Sequence, residues 1–182
     1  TWRATLPSSA YRSLLDRYGE KEMQRQEVIW DLCDTEQNFV KRMRMAVRLF
    51  IQPLRVKDTQ TWLTGVPVAV ARLFDWLEDI VNLHSQVASA LHAAISAQYP
   101  VVLRIAEVVR TFVPRLEVHQ PYLVRVEEVV LAIKEMVQEG SDDFGEFVHM
   151  QQQAEECRGW TLEAFLVEPI NRLVDYPMFF RV

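Results

Sequence analysis

Apolar residues along this chain recur mainly at intervals of three, four and seven positions, the spacing of one face of an α-helix. The first long run predicts a helix from about Glu22 to Ile51, interrupted near Pro53. One face of this helix carries Val28, Leu32, Phe39, Met43, Val47, Phe50 and Leu54. Glycine is scarce, and no two-residue hairpin signal lies between alternating apolar residues. The pattern predicts an all-α fold.

A second helix is predicted from about Pro67 to Gln98. Its apolar stripe alternates steps of three and four, a spacing suited to packing along another helix. The stripe consists of Phe74, Leu77, Val81, His84, Ala88, Leu91 and Ile95. Because His84 falls on this stripe, we expect it to be a hydrogen-bonded core histidine.

Prolines and small polar clusters divide the rest of the chain. A third helix is predicted from Val101 to about Phe112, after Pro100. A fourth carries Tyr122, Val126, Val129, Val130, Ile133 and Val137. The polar cluster at residues 139–143, which includes Ser141, ends the fourth helix and offers N-caps for another, Phe144 to about Cys157. A last helical run starts near Leu162.

The two ends of the chain differ in their patterns. Residues 1–20 resemble a capping arm in which Tyr11, Leu14, Leu15 and Tyr18 can pack onto a neighbouring helix. The chain begins at Thr1 without a methionine and stops at Val182 inside a helical run. We therefore expect it to be a piece of a larger polypeptide.

Length and composition favour a globular, soluble chain of one domain, or of one and a fraction. The chain has 182 residues, of which 49% are apolar and 25% charged. Its net charge is −5 with scattered Lys and Arg, so neither nucleic acid nor an anionic membrane surface is an expected partner. No apolar run approaches the ~20 residues that span a bilayer, and the first residues of this chain do not show a basic-then-apolar secretory pattern. Two cysteines suit free thiols in a reducing cytosol, so we expect a cytoplasmic location.

Sequence patterns of metal and covalent chemistry are missing. None of the four histidines stands at a zinc-ligand spacing with the two distant cysteines. Glu146 and His149 form a single Glu-x-x-His, whereas a di-iron bundle needs two. There is no glycine-rich phosphate loop and no nucleophile elbow. We expect no cofactor, no metal and no covalent catalysis.

Glu36 interrupts an apolar stripe of the first helix. Seven residues turn a helix by about 700°, so Glu36 lies within roughly 20° of Ile29 around the axis, and Val40 follows one turn later. One interpretation is a boundary residue that pairs with a neighbour inside the fold. The other is a carboxylate presented to the backbone amides and hydroxyls of a partner.

Three stretches resemble the signature blocks of the Dbl-homology (RhoGEF) domain, in the family's order. Residues 26–40 match the first block through Thr35-Glu36, the aromatic Phe39 and Val40, and Phe50, Pro53 and Leu54 fall at further family positions. The second block is similar to the stretch that contains Leu73-Phe74, Ile80, Leu83-His84 and Leu91. The third is residues 162–177, with Pro169, Arg172 and Tyr176-Pro177. The resemblance implies an elongated multi-helix bundle of the Dbl-homology type over residues 21–182, with a truncated last helix, preceded by the arm at residues 1–20.

The resemblance also implies a function. Such domains are guanine-nucleotide exchange factors that bind a Rho-family small GTPase and promote GDP release by remodelling switch I and switch II. Glu36 would contact switch I, while Val167, Glu168, Asn171 and Asp175 occupy positions of the switch II contact. Membrane contact would come only through neighbouring domains, such as a pleckstrin-homology domain. The partner could be of the Rho, Rac or Cdc42 type, and the oligomeric state stays open.

Two charges depart from the family pattern. Glu168 stands where the family usually has Lys, and Asp175 where it usually has Lys or Arg. An inverted charge at a close contact can abolish binding, or redirect it to a partner with a compensating basic residue. Arg172 matches the family, but it could equally be a structural residue paired with a helix carboxylate.

Two alternatives stay open, and the charge departures at Glu168 and Asp175 support the first of them. The first is an exchange-dead Dbl-like module that serves as a scaffold or an autoinhibitory surface. The second is an unrelated helical adaptor that binds a partner helix along the stripe from Phe74 to Ile95, which would require the stripe to be exposed. For the exchange factor, we expect Glu36→Ala to leave helicity and melting temperature nearly unchanged while removing exchange.

Overall fold

The computed structural model describes residues 1–140 and 142–180. Apart from one isolated bridge between Arg55 and Trp62, the regular structure of these residues is helical. The main helices are α1 (Ser8–Ala46), α2 (Val68–Gln98), α3 (Ala106–Phe112), α4 (Gln120–Glu139), α5 (Asp143–Gln152) and α6 (Leu162–Phe179). The predicted all-α fold is confirmed. Ser141, a predicted cap residue, and the end of the chain at Arg181 and Val182 lie outside the described residues.

Helix α1 begins earlier than predicted because the N-terminal segment is itself helical. After a short 3-10 turn at Trp2–Thr5, α1 runs from Ser8 and is kinked at Gly19, whose φ of 79° is left-handed. Glycine has no Cβ, so it takes this conformation with little strain. Past Ala46 the helix widens into a π-turn at Val47–Ile51, and a 3-10 turn at Gln52–Leu54 follows.

The stripe of α2 lies in the core. All seven of its residues are buried, and Phe74 and His84 are fully enclosed. The helix follows Pro67 and runs to Gln98, as predicted. Because the stripe is not exposed, the adaptor interpretation loses the observation on which it depended.

Two predicted helices have different bounds. Helix α3 begins at Ala106 rather than Val101, since residues 101–105 form a non-helical segment. The buried Gln26 side chain holds that segment: its Nε2 donates to the Val102 carbonyl at 3.0 Å, and its Oε1 accepts from the Val102 amide at 2.8 Å. Helix α5 ends at Gln152, five residues before Cys157, and Cys157 closes a separate 3-10 turn.

Caps at both ends explain the connection between α4 and α5. Gly140 ends α4 in a left-handed conformation, with φ 57°. Asp142 caps α5 by accepting from the Gly145 amide at 2.5 Å. Gly145 itself is required by close packing, because a Cβ there would lie 2.3 Å from the Met136 carbonyl oxygen.

The chain forms two compact units. The first comprises Thr1–Val40, Leu83–Leu116 and the described residues from Leu173 onward. In it the Trp2 indole donates to the Pro100 carbonyl at 2.8 Å, and the Glu27 carboxylate accepts from the Trp2 and Arg3 amides. Tyr11, Leu14, Leu15 and Tyr18 pack around Trp2 together with Met23 and Val101.

The second unit comprises Lys41–Asn82 and Glu117–Arg172. Its core includes Phe50 and Phe165, with ring centroids 6.1 Å apart, and the buried Tyr122, whose hydroxyl donates to the Leu166 carbonyl at 2.5 Å. Burial raises the pKa of Tyr122 far above its ordinary value, so the hydroxyl remains a donor. No described helix is long and apolar enough to cross a membrane.

Candidate functional site

Glu36 is the buried carboxylate of the first unit, and its side chain is 0% exposed. Its Oε1 accepts from His84 Nδ1 at 2.6 Å, and its Oε2 accepts from the Tyr176 hydroxyl at 2.7 Å. The Tyr176 hydroxyl also lies 3.2 Å from His84 Nδ1. We call Glu36, His84 and Tyr176 the Glu36 network. Both carboxylate oxygens therefore have a hydrogen-bond partner within the chain.

The elements that carry the network explain its geometry. Glu36 continues the buried face of α1 between Cys33 and Val40, so the helix aims its carboxylate inward. His84 comes from the stripe of α2, and the Phe39 ring meets it edge-on at 4.8 Å. The Tyr176 ring lies parallel to the His84 ring, with centroids 6.3 Å apart. Packed rings on three helices thus hold the carboxylate in one position.

This placement changes what the sequence led us to expect of Glu36. The carboxylate is enclosed rather than presented, so Glu36→Ala would leave two polar groups without their acceptor and would affect stability. Its predicted contact with a partner stays a prediction. The expected hydrogen-bonded core histidine at position 84 is observed.

The remaining signature residues lie where packing needs them. The Thr35 hydroxyl donates to the Asp31 carbonyl at 2.7 Å, one turn back along α1. Phe39 and Phe74 are buried, and Pro169 and Arg172 are buried positions of α6. These residues support the helices on which the candidate contact residues lie.

Glu168 has an ion-pair partner that sequence reasoning missed. Its Oε2 accepts from Arg42 Nε at 2.9 Å and from Arg42 Nη2 at 2.7 Å. The Arg42 guanidinium also lies 5.8 Å from the centre of the Trp160 ring. Glu168 is 14% exposed at its side chain. The sequence shows an acid where the family has lysine, and an acid at a helix packing position needs a cation as partner. The sequence does not show that this partner is Arg42 rather than another basic residue.

The other predicted contact residues of α6 are more accessible. Asn171 and Asp175 are exposed, and Val167 is half-buried. Val174 and Met178 are each 66% exposed, although both are apolar. Within the described residues Asp175 makes no ion pair, in contrast to Glu168. Sequence reasoning did not single out Val174 or Met178.

The titration of one thiol reflects its place beside the network. Burial, together with the nearby carboxylates of Asp34 and Glu36, raises the pKa of the Cys33 thiol to about 11. The thiol is therefore protonated at neutral pH and is a poor nucleophile. Among the residues that the structure describes, no group of three or more His, Cys, Asp or Glu side chains is placed to hold a metal ion.

A family model and similar proteins of known family agree on one protein family. The family model described as RhoGEF domain matches residues 28–182. Intersectin-1 of Xenopus laevis is 29% identical over 170 residues, which are 91% of this chain and 9% of that protein. Rho1 guanine nucleotide exchange factor 2 of Schizosaccharomyces pombe is 25% identical over 179 residues, 97% of this chain and 15% of that protein.

A solved structure shares the fold. The linker-DH/PH domains of p115-RhoGEF superimpose with a TM-score of 0.72 at 20% identity, covering 88% of this chain and 48% of that chain. The chain thus spans a small part of its curated relatives and about half of this structural relative. The family match covers most of the chain and includes the signature stretches around Glu36 and Tyr176. This chain belongs to the RhoGEF domain family.

Proposed function

We propose that this domain is a guanine-nucleotide exchange factor for a Rho-family small GTPase, of the Rho, Rac or Cdc42 type. The observation that carries the proposal is the RhoGEF family match over residues 28–182. The domain would bind the nucleotide-free GTPase more tightly than the loaded one, and this differential affinity lowers the barrier to GDP release. A thousandfold acceleration requires a barrier reduction of only about 4 kcal/mol.

Each candidate residue has a role in this proposal. Glu36 accepts hydrogen bonds from switch I, while Val167, Asn171 and Asp175 contact switch II. The exposure of Asn171 and Asp175 supports their part. Glu168 acts through Arg42, because their ion pair leaves the Arg42 side chain 38% exposed.

The Glu36 network adds a requirement to the mechanism. Glu36 is fully enclosed and its two oxygens accept from His84 and Tyr176, so a donor on the GTPase reaches the carboxylate only if a group that covers it moves away. Tyr176 is the group to be displaced, because it is half-buried whereas His84 is fully enclosed. One charged hydrogen bond is then exchanged for another of similar strength, which keeps the net cost small.

Release of a fluorescent guanine nucleotide from a panel of Rho, Rac and Cdc42-type GTPases tests the function. We expect acceleration of at least one member, reduced at least tenfold by Glu36→Gln. Glu135→Gln, which removes an exposed carboxylate of α4, is the matched control and should retain full activity. Thermal unfolding of both variants shows whether a loss of exchange reflects a loss of fold. A folded domain that accelerates no member of the panel would contradict the exchange function.

An exchange-dead interaction module is the second candidate. It is favoured by the internal pairing of Glu168 and by the enclosure of Glu36, since together they leave fewer charges for a GTPase. This candidate predicts that the domain either fails to bind nucleotide-free GTPases or binds them without accelerating release. Nucleotide release on the same panel separates it from the exchange factor, and a binding measurement then distinguishes a module that does not bind from one that binds without accelerating release.

A further inference from the structure

We propose that the partner GTPase presents a basic side chain, Lys or Arg, to Asp175, beside the exposed apolar side chains of Val174 and Met178. The inference rests on the proposed exchange function and specifies the chemistry of the partner. It starts from three neighbouring residues near the end of α6, namely Val174, Asp175 and Met178, which we call the α6 patch.

Glu168 and Asp175 lie on the same helix but differ in how their charges are compensated. Glu168 is mostly buried and receives two hydrogen bonds from Arg42, so its charge is neutralised within the chain. Asp175 is exposed, and within the described part of the chain no cation pairs with it. Of these two carboxylates in the described part of α6, Asp175 is the one whose negative charge is available to a partner.

The neighbours of Asp175 favour a protein contact over solvent. Val174 and Met178 are four residues apart in α6, so they lie one above the other on the helix surface. Each is 66% exposed, which is a large apolar surface for two side chains on one turn. A partner that covers Val174 and Met178 also removes water from the adjacent carboxylate.

The loss of hydration of the Asp175 carboxylate in the contact determines which charge the partner has to carry there. A carboxylate that is desolvated at an interface without a counter-charge weakens binding, and an acidic residue opposite it weakens binding further. A basic residue opposite it compensates for the lost hydration and increases the association rate. The α6 patch therefore selects a GTPase with a basic residue at this contact and rejects one with an acidic residue.

The test compares Asp175→Asn, Asp175→Lys and the control Glu135→Gln in the nucleotide-release panel, at low and at physiological salt. Asp175→Asn and Glu135→Gln each remove one negative charge, so a general effect of net charge would appear equally in both. We expect Asp175→Asn to reduce exchange on the preferred GTPase at least fivefold, Asp175→Lys to reduce it more, and Glu135→Gln to have little effect. We also expect the wild-type rate to fall with added salt more steeply than that of Asp175→Asn.

A charge exchange then identifies the partner residue. Each Lys or Arg on the switch II side of the preferred GTPase is changed to Glu, and one such change should restore exchange with Asp175→Lys while abolishing it with the wild type. Exchange that is unchanged or faster in Asp175→Asn would overturn this inference and leave the exchange function intact. Activity gained only in Asp175→Lys would overturn it too, because the partner would then present an acidic residue. If no variant accelerates any GTPase, the exchange function itself fails, and the inference fails with it.

Discussion

Tyr176→Phe removes one hydroxyl from the Glu36 network and leaves the aromatic ring in place. In the wild type this hydroxyl donates to Glu36 Oε2 at 2.7 Å, and the ring lies parallel to His84. A hydrogen bond to a charged group contributes roughly 1.5–3 kcal/mol, and water can partly replace it at a half-buried site. We therefore expect Tyr176→Phe to lower the free energy of unfolding by about 1–2 kcal/mol.

The effect on exchange should have the opposite sign. If Tyr176 competes with the GTPase for Glu36, removing the hydroxyl frees one oxygen of the carboxylate in advance. Each 1.4 kcal/mol corresponds to about tenfold in rate, so a gain of half to all of this ~1–2 kcal/mol, about 0.5–2 kcal/mol, predicts exchange roughly two- to thirtyfold faster at limiting domain concentration. Stability is lost and activity is gained, a combination that general damage to the fold does not produce.

Urea unfolding and nucleotide release measure the two effects on the same protein sample. Tyr99→Phe is the matched control: the Tyr99 hydroxyl donates to the neutral Thr5 carbonyl at 3.0 Å in an exposed position, so its removal should change unfolding by less than about 0.5 kcal/mol. A double-mutant cycle of Tyr176→Phe with Glu36→Gln should give a coupling of about 1 kcal/mol.

Two results would refute this reasoning. An unfolding free energy unchanged in Tyr176→Phe, with no coupling to Glu36, would mean that the hydrogen bond does not exist in solution. Exchange that falls together with stability would mean that Tyr176 positions the carboxylate for the partner rather than competing for it.

Three further predictions concern other parts of the structure. Glu168→Gln should lower the free energy of unfolding by about 1–2 kcal/mol, because it removes the charge from an ion pair that has two hydrogen bonds. Adding Arg42→Gln should lower this free energy little further. Urea unfolding of the single and double variants measures both effects. Gln26→Ala should lower the free energy of unfolding by about 2–3 kcal/mol, because it leaves the amide of buried Val102 without its acceptor. The thermal unfolding midpoint of this variant should fall accordingly. The raised pKa of Cys33 means that the unfolded thiol ionises before the native one, so its contribution to stability is present below about pH 8.5 and is lost as the pH rises towards 11. Urea midpoints at pH 8 and 10, compared with Cys33→Ala, should show this loss, and iodoacetamide should modify native Cys33 far more slowly than the unfolded thiol at pH 8.

Helical periodicity predicts the long elements well and their ends less well. The stripe of α2 is fully buried as its spacing predicts, because a continuous apolar face has no other place in a folded domain. The start of α3 was predicted five residues too early, since Val101 and Val102 read equally as helical or extended. A long-range bond from Gln26 decides between them, and no local pattern reveals it.

In the candidate site, too, the sequence pattern predicts which positions are apolar, whereas long-range pairing depends on the fold. The angle between Glu36 and Ile29 places Glu36 on an apolar face but does not decide between an enclosed carboxylate and one presented to a partner, whereas the apolar stripe of α2 correctly predicts that His84 belongs to the core. The pairing of Glu168 with Arg42 could not be predicted, because the two residues are 126 positions apart and the choice of cation depends on tertiary packing. Sequence separates charged from apolar positions, whereas only the fold determines which charges are neutralised.

On the proposed function, Glu36 would combine the two interpretations that its position in the sequence left open. It pairs with neighbours inside the fold, as a structural residue does, yet Tyr176, one of these neighbours, is only half-buried. Replacing a buried ion network by apolar residues is often neutral or stabilising, so stability alone is a weak reason for a carboxylate at this position. On the proposed function, the network keeps the carboxylate satisfied while no GTPase is bound. His84 then holds it in register when the Tyr176 hydroxyl gives way to a donor from switch I. Structural and functional roles of Glu36 are in this sense successive states of one hydrogen-bonding site.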